Sequence, residues 1–331
     1  MKKNNWHRIF RFSIMAGMGA LLLSGCLEND WEECEKKGQE ELDKYISENN
    51  IPDEYRKESG IYYIPDTIGT GLSPEPDDYI VVEYTGMYLN GTIIETTDST
   101  LKDDWSAGNE FDDYPYGPVK FIYGYSRAGF NSGLSYMQEG GWATLIIPTE
   151  LAFYDCKPVK YSIHLISVIK DPVEYENVLL LRYLAENGMD TTSNAYGDIY
   201  YKEYLTTSDT TEVMNNDTLV IRFSGKYPYI DKGMIRLKEF DSNYDVADPL
   251  RFVYGKEETI LGGYIKKIPD GFTAALDTMR KGTRAIAVLP YTEAFGTTGL
   301  INVLYGYSIV PAYQTVIYDL QVVDILRGST E

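Results

Sequence analysis

The chain has 331 residues, a formal net charge of −20 and a hydrophobic share of 44%. This length fits two ordinary globular domains, each large enough for its own core. The negative charge argues against a nucleic-acid partner, because the phosphate backbone would repel the protein. A solvated acidic surface explains most of that charge. Thirty tyrosines make the chain rich in aromatic residues, which favour β-strands.

The N-terminal segment has the features of a bacterial lipoprotein signal peptide. Basic residues come first, and an uncharged apolar stretch over residues 12–25 follows, too short to span a bilayer comfortably. Ser24 and Gly25 stand directly before Cys26, which resembles the lipobox of bacterial lipoproteins. The resemblance implies cleavage before Cys26 and acylation of that residue, with palmitate among the acyl chains, and hence a lipid anchor in the membrane. An ordinary signal peptide that happens to carry a cysteine is the alternative.

An acidic segment follows the lipobox. Residues 28–33 (ENDWEE) resemble the signal that sends some Bacteroidetes lipoproteins to the cell surface, and a solvated spacer is the alternative. The expected location is the cell envelope, at the outer membrane, with the periplasmic and the surface face both open. Export permits a disulfide between Cys34 and Cys156. Because Cys34 lies in an acidic and helical tether, we expect two unpaired thiols instead.

Two parts of the chain repeat each other. The matching pairs are residues 45–50 (YISENN) with 183–188 (YLAENG), 61–63 with 199–201 (both IYY), and 119–124 (VKFIYG) with 250–255 (LRFVYG). The first two pairs share an offset of 138 positions. A constant offset across a linker and two motifs indicates a duplicated domain.

The duplication predicts the organisation of the whole chain. Its segments are a signal peptide (1–25), an acidic tether and helix (26–58), a first domain (59–171), a linker helix (172–195) and a second domain (196–331). We call these two domains the first and the second repeat. The boundary between them is placed at Asp171, since Pro172 ends the preceding strand.

The expected elements recur in the same order in both repeats. Helices are predicted over residues 32–50 and 178–186, and short helices over 129–137 and 271–279. Strands are predicted through both IYY motifs and over residues 79–84, 218–223, 143–147, 284–289, 160–169 and 315–325. The strands at 79–84 and 218–223 are each expected to lead into a glycine turn, at Gly86 and Gly225. Each repeat is therefore predicted to be an antiparallel sheet with one short helix, an α+β unit.

Several kinds of chemistry are excluded by composition. The chain has two histidines, His7 and His164, so histidine metal clusters and a Ser-His-Asp triad are excluded. No phosphate-binding loop and no dinucleotide fingerprint is present. We expect no metal and no cofactor, and His164 is interpreted as a surface or packing residue.

The second repeat carries a series of short motifs in a fixed order. They are residues 220–225 (VIRFSG), 238–242 (KEFDS), 250–255 (LRFVYG), 271–282 (GFTAALDTMRKG), 289–296 (LPYTEAFG), and 309–311 (IVP) with 316–320 (VIYDL). Together they resemble the FKBP family of peptidyl-prolyl cis-trans isomerases. The first repeat shows the same skeleton, with an insertion over residues 101–116. Only eight positions separate Phe153 from Tyr161, against 23 between Phe295 and Tyr318.

The resemblance implies two tandem FKBP-like domains, each with an apolar pocket that holds a proline ring. In the second repeat it assigns catalytic roles to Asp241, Phe240, Phe223 and Tyr318, and substrate binding to Phe252, Ile268, Phe272, Phe295, Ile309 and Val310. Weaker equivalents in the first repeat are Tyr84, Ile94, Glu95, Phe121, Phe130, Phe153 and Tyr161. Phe272 would lie under the proline ring, and Asp241 would be the polar anchor near the substrate carbonyl.

Three residues depart from the family pattern, and two functions therefore stay open. Phe223 and Phe295 stand where the family has Tyr, and Phe272 where it has Trp. Taken alone, each aromatic residue is more simply interpreted as core, and Asp241 as a turn or cap residue. The first function is an envelope-anchored isomerase, active in the second repeat, that acts on proline-containing segments of exported proteins. The second is a non-catalytic surface lipoprotein that binds peptide, glycan or a partner protein.

Overall fold

The computed structural model describes residues 31–106, 116–153, 155–191, 198–255, 258–261, 264–302 and 307–328, with the backbone alone at 106, 258–261 and 264–267. Cys26, the signal peptide and most of the acidic sorting segment lie outside the described residues. None of the helices among the described residues combines the length and the apolar character that a membrane crossing requires.

The first repeat is a six-stranded antiparallel sheet. Its strands are β1 (Tyr62–Thr67), β2 (Tyr79–Tyr88), β3 (Ile93–Thr96), β4 (Val119–Ile122), β5 (Gly141–Ile147) and β6 (Val159–Ile169). The helices of this half of the chain are α1 (residues 31–48), α2 (Lys102–Ser106) and α3 (Ala128–Leu134). The strand order is β1-β5-β6-β2-β3, and β4 also pairs with β2.

The second repeat follows the same plan. It contains α4 (Pro172–Glu186), β7 (Tyr200–Leu205), β8 (Thr218–Asp231), β9 (Met234–Ser242), β10 (Leu250–Val253), β11 (Glu258–Leu261), β12 (Tyr264–Lys267), α5 (Asp270–Leu276), β13 (Arg284–Leu289), β14 (Leu300–Ile301), β15 (Ser308–Val310) and β16 (Val316–Leu326). The sheet order is β10-β8-β16-β13-β7, with β9 also paired to β8. Each sheet thus has one long strand, β2 or β8, that also pairs with two further strands, β3 and β4 or β9 and β10. The predicted duplication and α+β class are confirmed, and β11–β12 and β14–β15 form separate two-stranded ribbons.

The core of each repeat lies between the sheet and its short helix. On β16, Val316, Tyr318, Leu320 and Val322 alternate into the core, because every second side chain of a strand points to the same face. On α5, Phe272 and Leu276 are buried at a spacing of four residues, which places them on one helical face. Phe130 and Leu134 occupy the same positions of α3.

The two predicted glycine turns are wrong. Strands β2 and β8 continue straight through Gly86 and Gly225. A Cβ atom at Gly225 would lie 2.6 Å from the ring of Phe240 and 2.8 Å from that of Tyr318, and a Cβ at Gly86 would clash with the ring of Tyr161. Both glycines are therefore required by a ring packed against the strand and not by a turn.

Within the linker segment 172–195, the helix begins earlier than the helical stretch predicted over residues 178–186. α4 starts at Pro172, whereas the sequence analysis placed its start at residue 178. The side chain of Asp171 accepts hydrogen bonds from the backbone N–H groups of Val173 and Glu174, at 2.9 and 3.0 Å. Proline fits the first helical position because it has no N–H to satisfy there. Pro172 thus starts a helix, and β6 has already ended at Ile169.

The two thiols expected to be unpaired form a disulfide. Cys34 on α1 is bonded to Cys156, across 122 residues of chain. Gly38, one turn further along α1, lies so close to Cys156 and Thr149 that a Cβ atom would clash with both. The helix is therefore docked on the first repeat and is not a free tether, which the acidic composition of the segment did not indicate.

The described residues divide into two compact units. The first consists of those up to residue 77 together with those in 83–111 and 123–165, and the second of those in 78–82, 112–122 and 166–331. The sites below are described within one unit at a time. The exact limits of the two repeats remain a prediction.

Candidate functional site

Seven aromatic rings of the second repeat contact one another in a chain of ring pairs. They are Phe223 and Tyr227 on β8, Phe240 on β9, Phe252 on β10, Phe272 on α5, Phe295 after a short 3-10 turn, and Tyr318 on β16. Four strands, one helix and one loop, distant in sequence, therefore meet at one apolar cluster.

Three of these rings form a buried floor. Phe272 and Tyr318 meet edge to face, with ring centroids 4.8 Å apart and planes at 78°. Phe223 meets Phe272 at 5.9 Å and Tyr318 at 6.2 Å. Edge-to-face contacts are favoured because the positive ring edge faces the negative ring face. Burial raises the pKa of Tyr318, so its hydroxyl keeps its proton at physiological pH.

The rim of the cluster is half-buried. Phe240 contacts Tyr318 at 5.9 Å and Phe295 at 6.0 Å. Ile268 and Ile309 are likewise half-buried and pack on the buried rings, while Val310 is fully buried. The structure thus brings together every apolar residue that the sequence analysis assigned to this site. It gathers them as a buried floor under a half-buried apolar rim.

A β-bulge places Asp241 beside this rim. On β9, Asp241 pairs with Gly225 and Glu239 pairs with Lys226, so Phe240 is the extra residue of the bulge. Successive strand residues normally point to opposite faces, and a bulge re-aims them locally. Asp241 is half-buried at this point. The sequence analysis did not foresee the bulge.

The first repeat has the same bulge and the same floor. Glu95 pairs with Gly86 and Ile93 with Met87, so Ile94 is the extra residue. Ile94 and Glu95 thus occupy the positions of Phe240 and Asp241. The floor is a triangle of Tyr84, Phe130 and Tyr161, with centroid distances of 5.4 Å (Tyr84–Phe130), 6.0 Å (Tyr84–Tyr161) and 5.2 Å (Phe130–Tyr161).

The acid of the first repeat is engaged by two partners. The Tyr161 hydroxyl donates a hydrogen bond to Glu95 Oε1, and Arg127 Nη1 lies 3.0 Å from the same oxygen. Burial, and then the charge of Glu95, raise the pKa of Tyr161. The Arg127 guanidinium also stacks over the ring of Phe153, 3.8 Å from its centroid. Sequence reasoning had assigned no role to Arg127.

The other assigned residues of the first repeat lie at its edges. The Ile94 carbonyl accepts a hydrogen bond from Trp105 Nε1 at 2.9 Å, so the helix α2 of the insertion is fixed on β3 by a buried tryptophan. Phe121 lies on β4 opposite Ile80 and is half-buried. Between Phe295 and Tyr318 the second repeat has the β14–β15 ribbon, whereas the corresponding short segment of the first repeat carries Cys156.

Two further residues clarify what the site contains. Tyr227, missed by the sequence analysis, is buried and lies 6.4 Å from Phe240. Only its spacing of four residues from Phe223 on one strand could have indicated it.

His164 is buried and stacks on Trp142 at 4.3 Å, so it is a packing residue and not a surface one. Over the described part of the chain, no three His, Cys, Asp or Glu side chains form a group suited to a metal ion.

The sequence of the second repeat matches a known family. The model of the FKBP-type peptidyl-prolyl cis-trans isomerases matches residues 209–323. This part of the chain is similar in sequence to that family. The matched range includes the whole aromatic cluster, Asp241 and the β14–β15 ribbon.

Similar proteins carry the same description. The probable FkpA of Neisseria meningitidis, described as an FKBP-type peptidyl-prolyl cis-trans isomerase, is 30% identical over 119 residues, 36% of this chain and 38% of its own length. FkpA of Escherichia coli K12 is 30% identical over 129 residues, 38% of this chain and 40% of its own length. The chain therefore spans about two fifths of the length of these relatives. The crystal structure of FkpA from Escherichia coli is 20% identical, with a TM-score of 0.34 over 51% of this chain and 74% of that one.

Proposed function

We propose that the chain is a peptidyl-prolyl cis-trans isomerase whose activity lies in the second repeat. The observation that supports this proposal most strongly is the aromatic cluster, with its buried floor of Phe223, Phe272 and Tyr318 and its half-exposed rim. The FKBP-type sequence of residues 209–323 supports it independently.

The cluster suits the physical requirement of the reaction. Rotation about an X-Pro bond removes amide resonance, which creates a barrier of roughly 18–20 kcal/mol. The twisted amide is less charge-separated than the planar amide, so an apolar surface that excludes water favours the transition state over the ground state. The reaction needs no nucleophile and no metal.

The residues can then be given roles. Phe272 lies under the proline ring, and Phe223 and Tyr318 complete the floor on which the ring rests. Phe240 and Phe295, whose rings meet at 6.0 Å, form the wall beside it. Asp241, placed by the bulge next to Phe240, is the polar anchor near the substrate carbonyl. Ile268, Ile309, Val310 and Phe252 close the apolar surround.

The first repeat is not proposed as the catalytic one. Ile94 stands where the second repeat has Phe240, and Glu95 is already bound by Tyr161 and Arg127. The ribbon that borders the second site has no counterpart in the short segment around Cys156. The missing ring and ribbon weaken the wall of the first site, and Arg127 occupies its acid, while its floor still has three packed rings, with Tyr84 in place of Phe223.

We further propose that the protein is held in the cell envelope by lipid on Cys26 and acts on proline-containing segments of exported proteins. The lipobox-like sequence before Cys26 supports the anchor. The Cys34–Cys156 disulfide supports an oxidising compartment, where such bonds form and persist. A relative described as "Outer membrane protein MIP", from Legionella longbeachae, is 27% identical over 121 residues and agrees with an outer-membrane location.

One observation favours a non-catalytic alternative. Phe223 and Phe295 lack the hydroxyl groups that the family's tyrosines would offer to the anchor and to the substrate. A site with an apolar floor and fewer hydrogen-bond donors can bind a proline-containing segment without accelerating its isomerisation. Such a protein would be a surface lipoprotein that captures peptides, glycans or a partner protein.

Exchange spectroscopy separates the two functions. Residues 27–331 are mixed with a blocked Leu-Pro-Phe peptide, and the cis-trans exchange rate of the peptide is measured by two-dimensional NMR. The same measurement is made separately with the variant Asp241→Asn and with the matched first-repeat variant Glu95→Gln. Isomerase activity predicts acceleration by the wild type, a loss of roughly tenfold in Asp241→Asn and no change in Glu95→Gln. Binding of the peptide without acceleration by any of the three chains would support the alternative.

A further inference from the structure

The two repeats differ at the residue that begins the short helix. Arg127 precedes α3, and Pro269 precedes α5, each directly before the first helical residue. Their backbones are nearly identical, with φ and ψ of −60° and 148° at Arg127 and of −62° and 146° at Pro269. The same backbone position thus carries a long cation in one repeat and a short buried ring in the other.

The Arg127 side chain reaches two residues that belong to the first site. Its guanidinium lies 3.0 Å from Glu95 Oε1 and 3.8 Å from the centroid of Phe153. Glu95 occupies the bulge position of Asp241, the proposed anchor of the substrate carbonyl. Phe153 follows the 3-10 turn after β5, as Phe295 follows the 3-10 turn after β13. The guanidinium therefore joins the anchor of the first site to its aromatic wall.

The surroundings hold this arrangement in place. Glu95 also accepts the hydrogen bond of Tyr161, which is one of the three floor rings. The Glu95 side chain is 22% exposed and that of Arg127 is 40% exposed, so their ion pair is partly shielded from water. A flat guanidinium stacked on a ring and paired with a carboxylate uses both of its binding modes at once.

We propose that Arg127 is a built-in occupant that closes the first site to proline-containing peptides. A peptide can enter only if the guanidinium leaves Phe153 and Glu95 together, since the same two residues would have to contact the peptide. Pro269 has no such reach, so the residue at this position does not close the second site. The inference rests on the proposed function, because it takes proline-containing peptides as the ligands of these sites.

Photo-crosslinking tests this closure in each repeat separately. A Leu-Pro-Phe peptide carrying an N-terminal benzophenone is irradiated with residues 27–331, and the labelled tryptic fragments are assigned by mass spectrometry to residues 59–171 or 196–331. The variants are Arg127→Ala, Arg127→Gln and the control Arg182→Ala. Arg182 is another half-exposed arginine with a carboxylate partner, Glu186, but it lies on α4 and belongs to neither site.

The proposal predicts labelling of residues 196–331 alone in the wild type and in Arg182→Ala. Arg127→Ala should raise labelling of residues 59–171 roughly tenfold, since it removes both the stacking and the ion pair. Arg127→Gln should give a smaller rise, because the glutamine amide still donates to Glu95. If thermal melting shows that Arg127→Ala is unfolded, Arg127→Gln takes its place in the comparison. Wild-type labelling of residues 59–171, or no gain in either variant, would overturn the proposal. Absence of labelling in residues 196–331 in every chain would count against the proposed function instead. The comparison of wild type and Arg127 variants in residues 59–171 would still decide whether Arg127 closes the first site.

Discussion

Phe272 and Tyr318 pack edge to face with their ring centroids 4.8 Å apart, and Phe130 and Tyr161 do the same at 5.2 Å. In each pair the phenylalanine lies on the short helix, and the tyrosine lies on the strand that comes last along the chain of that repeat. A neighbouring glycine leaves room for the tyrosine ring. The two repeats therefore share an aromatic floor. They differ in the residues around this floor, which form the wall, the acidic anchor and the ribbon. This relationship offers matched variants for each of the functional predictions.

Replacing the floor residue of each repeat should separate stability from activity. Phe272→Leu and Phe130→Leu both remove a buried ring, and each should lower the free energy of unfolding by about 1–2 kcal/mol. Only Phe272→Leu should slow catalysed prolyl exchange, because only the second site is proposed to bind the proline ring. Chemical denaturation and exchange NMR on the same samples measure both effects. Equal loss of activity in the two variants would count against a single active repeat.

Restoring a hydroxyl to the floor should raise activity. Phe223→Tyr gives the second repeat the residue that the first repeat has at Tyr84. If Asp241 accepts its hydrogen bond, the variant should be as stable as the wild type within about 1 kcal/mol and should exchange prolyl bonds several-fold faster. A stability loss of about 2 kcal/mol with no gain in rate would show that the added hydroxyl is buried without a partner.

Breaking a buried ion pair should strongly destabilise the second compact unit. Lys120 Nζ lies 2.9 Å from Glu176 Oε1, and the other oxygen of Glu176 accepts the backbone N–H of Thr315 at 2.9 Å and the amide of Gln314 at 3.2 Å. Lys120→Met leaves the carboxylate unpaired and should cost about 3–5 kcal/mol at pH 7. Adding Glu176→Gln should recover most of that loss, since the amide remains an acceptor without a buried charge. Urea unfolding of the single and double variants measures the coupling, and full additivity would contradict it.

The stability cost of Lys120→Met should depend on pH because of the Glu176 carboxyl. Burial raises the pKa of Glu176 from the ordinary value of 4.5, against the lowering effect of Lys120. A raised pKa in the folded state means that this carboxyl contributes stability at low pH, which is lost as the pH rises through the folded pKa. The cost of Lys120→Met should therefore be smaller at pH 4 than at pH 7, because a protonated Glu176 needs no cation. A cost that is the same at both pH values would contradict a change in the charge of Glu176 over this range.

Reduction of the disulfide should destabilise the first unit. Cys34 and Cys156 close a loop of 122 residues, and removing such a bond typically costs about 2–5 kcal/mol. Cys34→Ser alone should melt at the temperature of the Cys34→Ser/Cys156→Ser double variant, since either one removes the bond. Calorimetry with and without a reductant gives the comparison. An unchanged melting temperature after complete reduction, verified by alkylation, would contradict the structural role.

Much of the fold could be predicted from the sequence because its signals are local and occur twice. The IYY motifs, the alternation of β16 and the Phe272–Leu276 spacing each specify an element without knowledge of the rest of the chain. The resemblance to the FKBP family then implied the floor rings and the acids Asp241 and Glu95. The aromatic composition of that set also indicated an apolar site.

The errors arose where distant residues decide the structure. Gly86 and Gly225 resemble turn glycines until the rings of Tyr161 and Tyr318 are placed against them. Pro172 is both a strand terminator and a helix starter, and the cap formed by Asp171 decides between these roles. The closing role of Arg127 depends on Glu95 and Phe153, which are 32 and 26 positions away along the chain. No local pattern contains such information.

The most direct test of the central proposal is the prolyl exchange rate of the wild-type chain at stoichiometric concentration. Uncatalysed exchange takes tens to hundreds of seconds, so even a weak isomerase is visible as new exchange peaks at mixing times of about one second. The account predicts such peaks with residues 27–331 and their loss in Phe272→Leu, with Phe130→Leu unchanged. A folded wild-type chain that shifts the peptide resonances on binding yet leaves the exchange rate at its uncatalysed value would contradict the account.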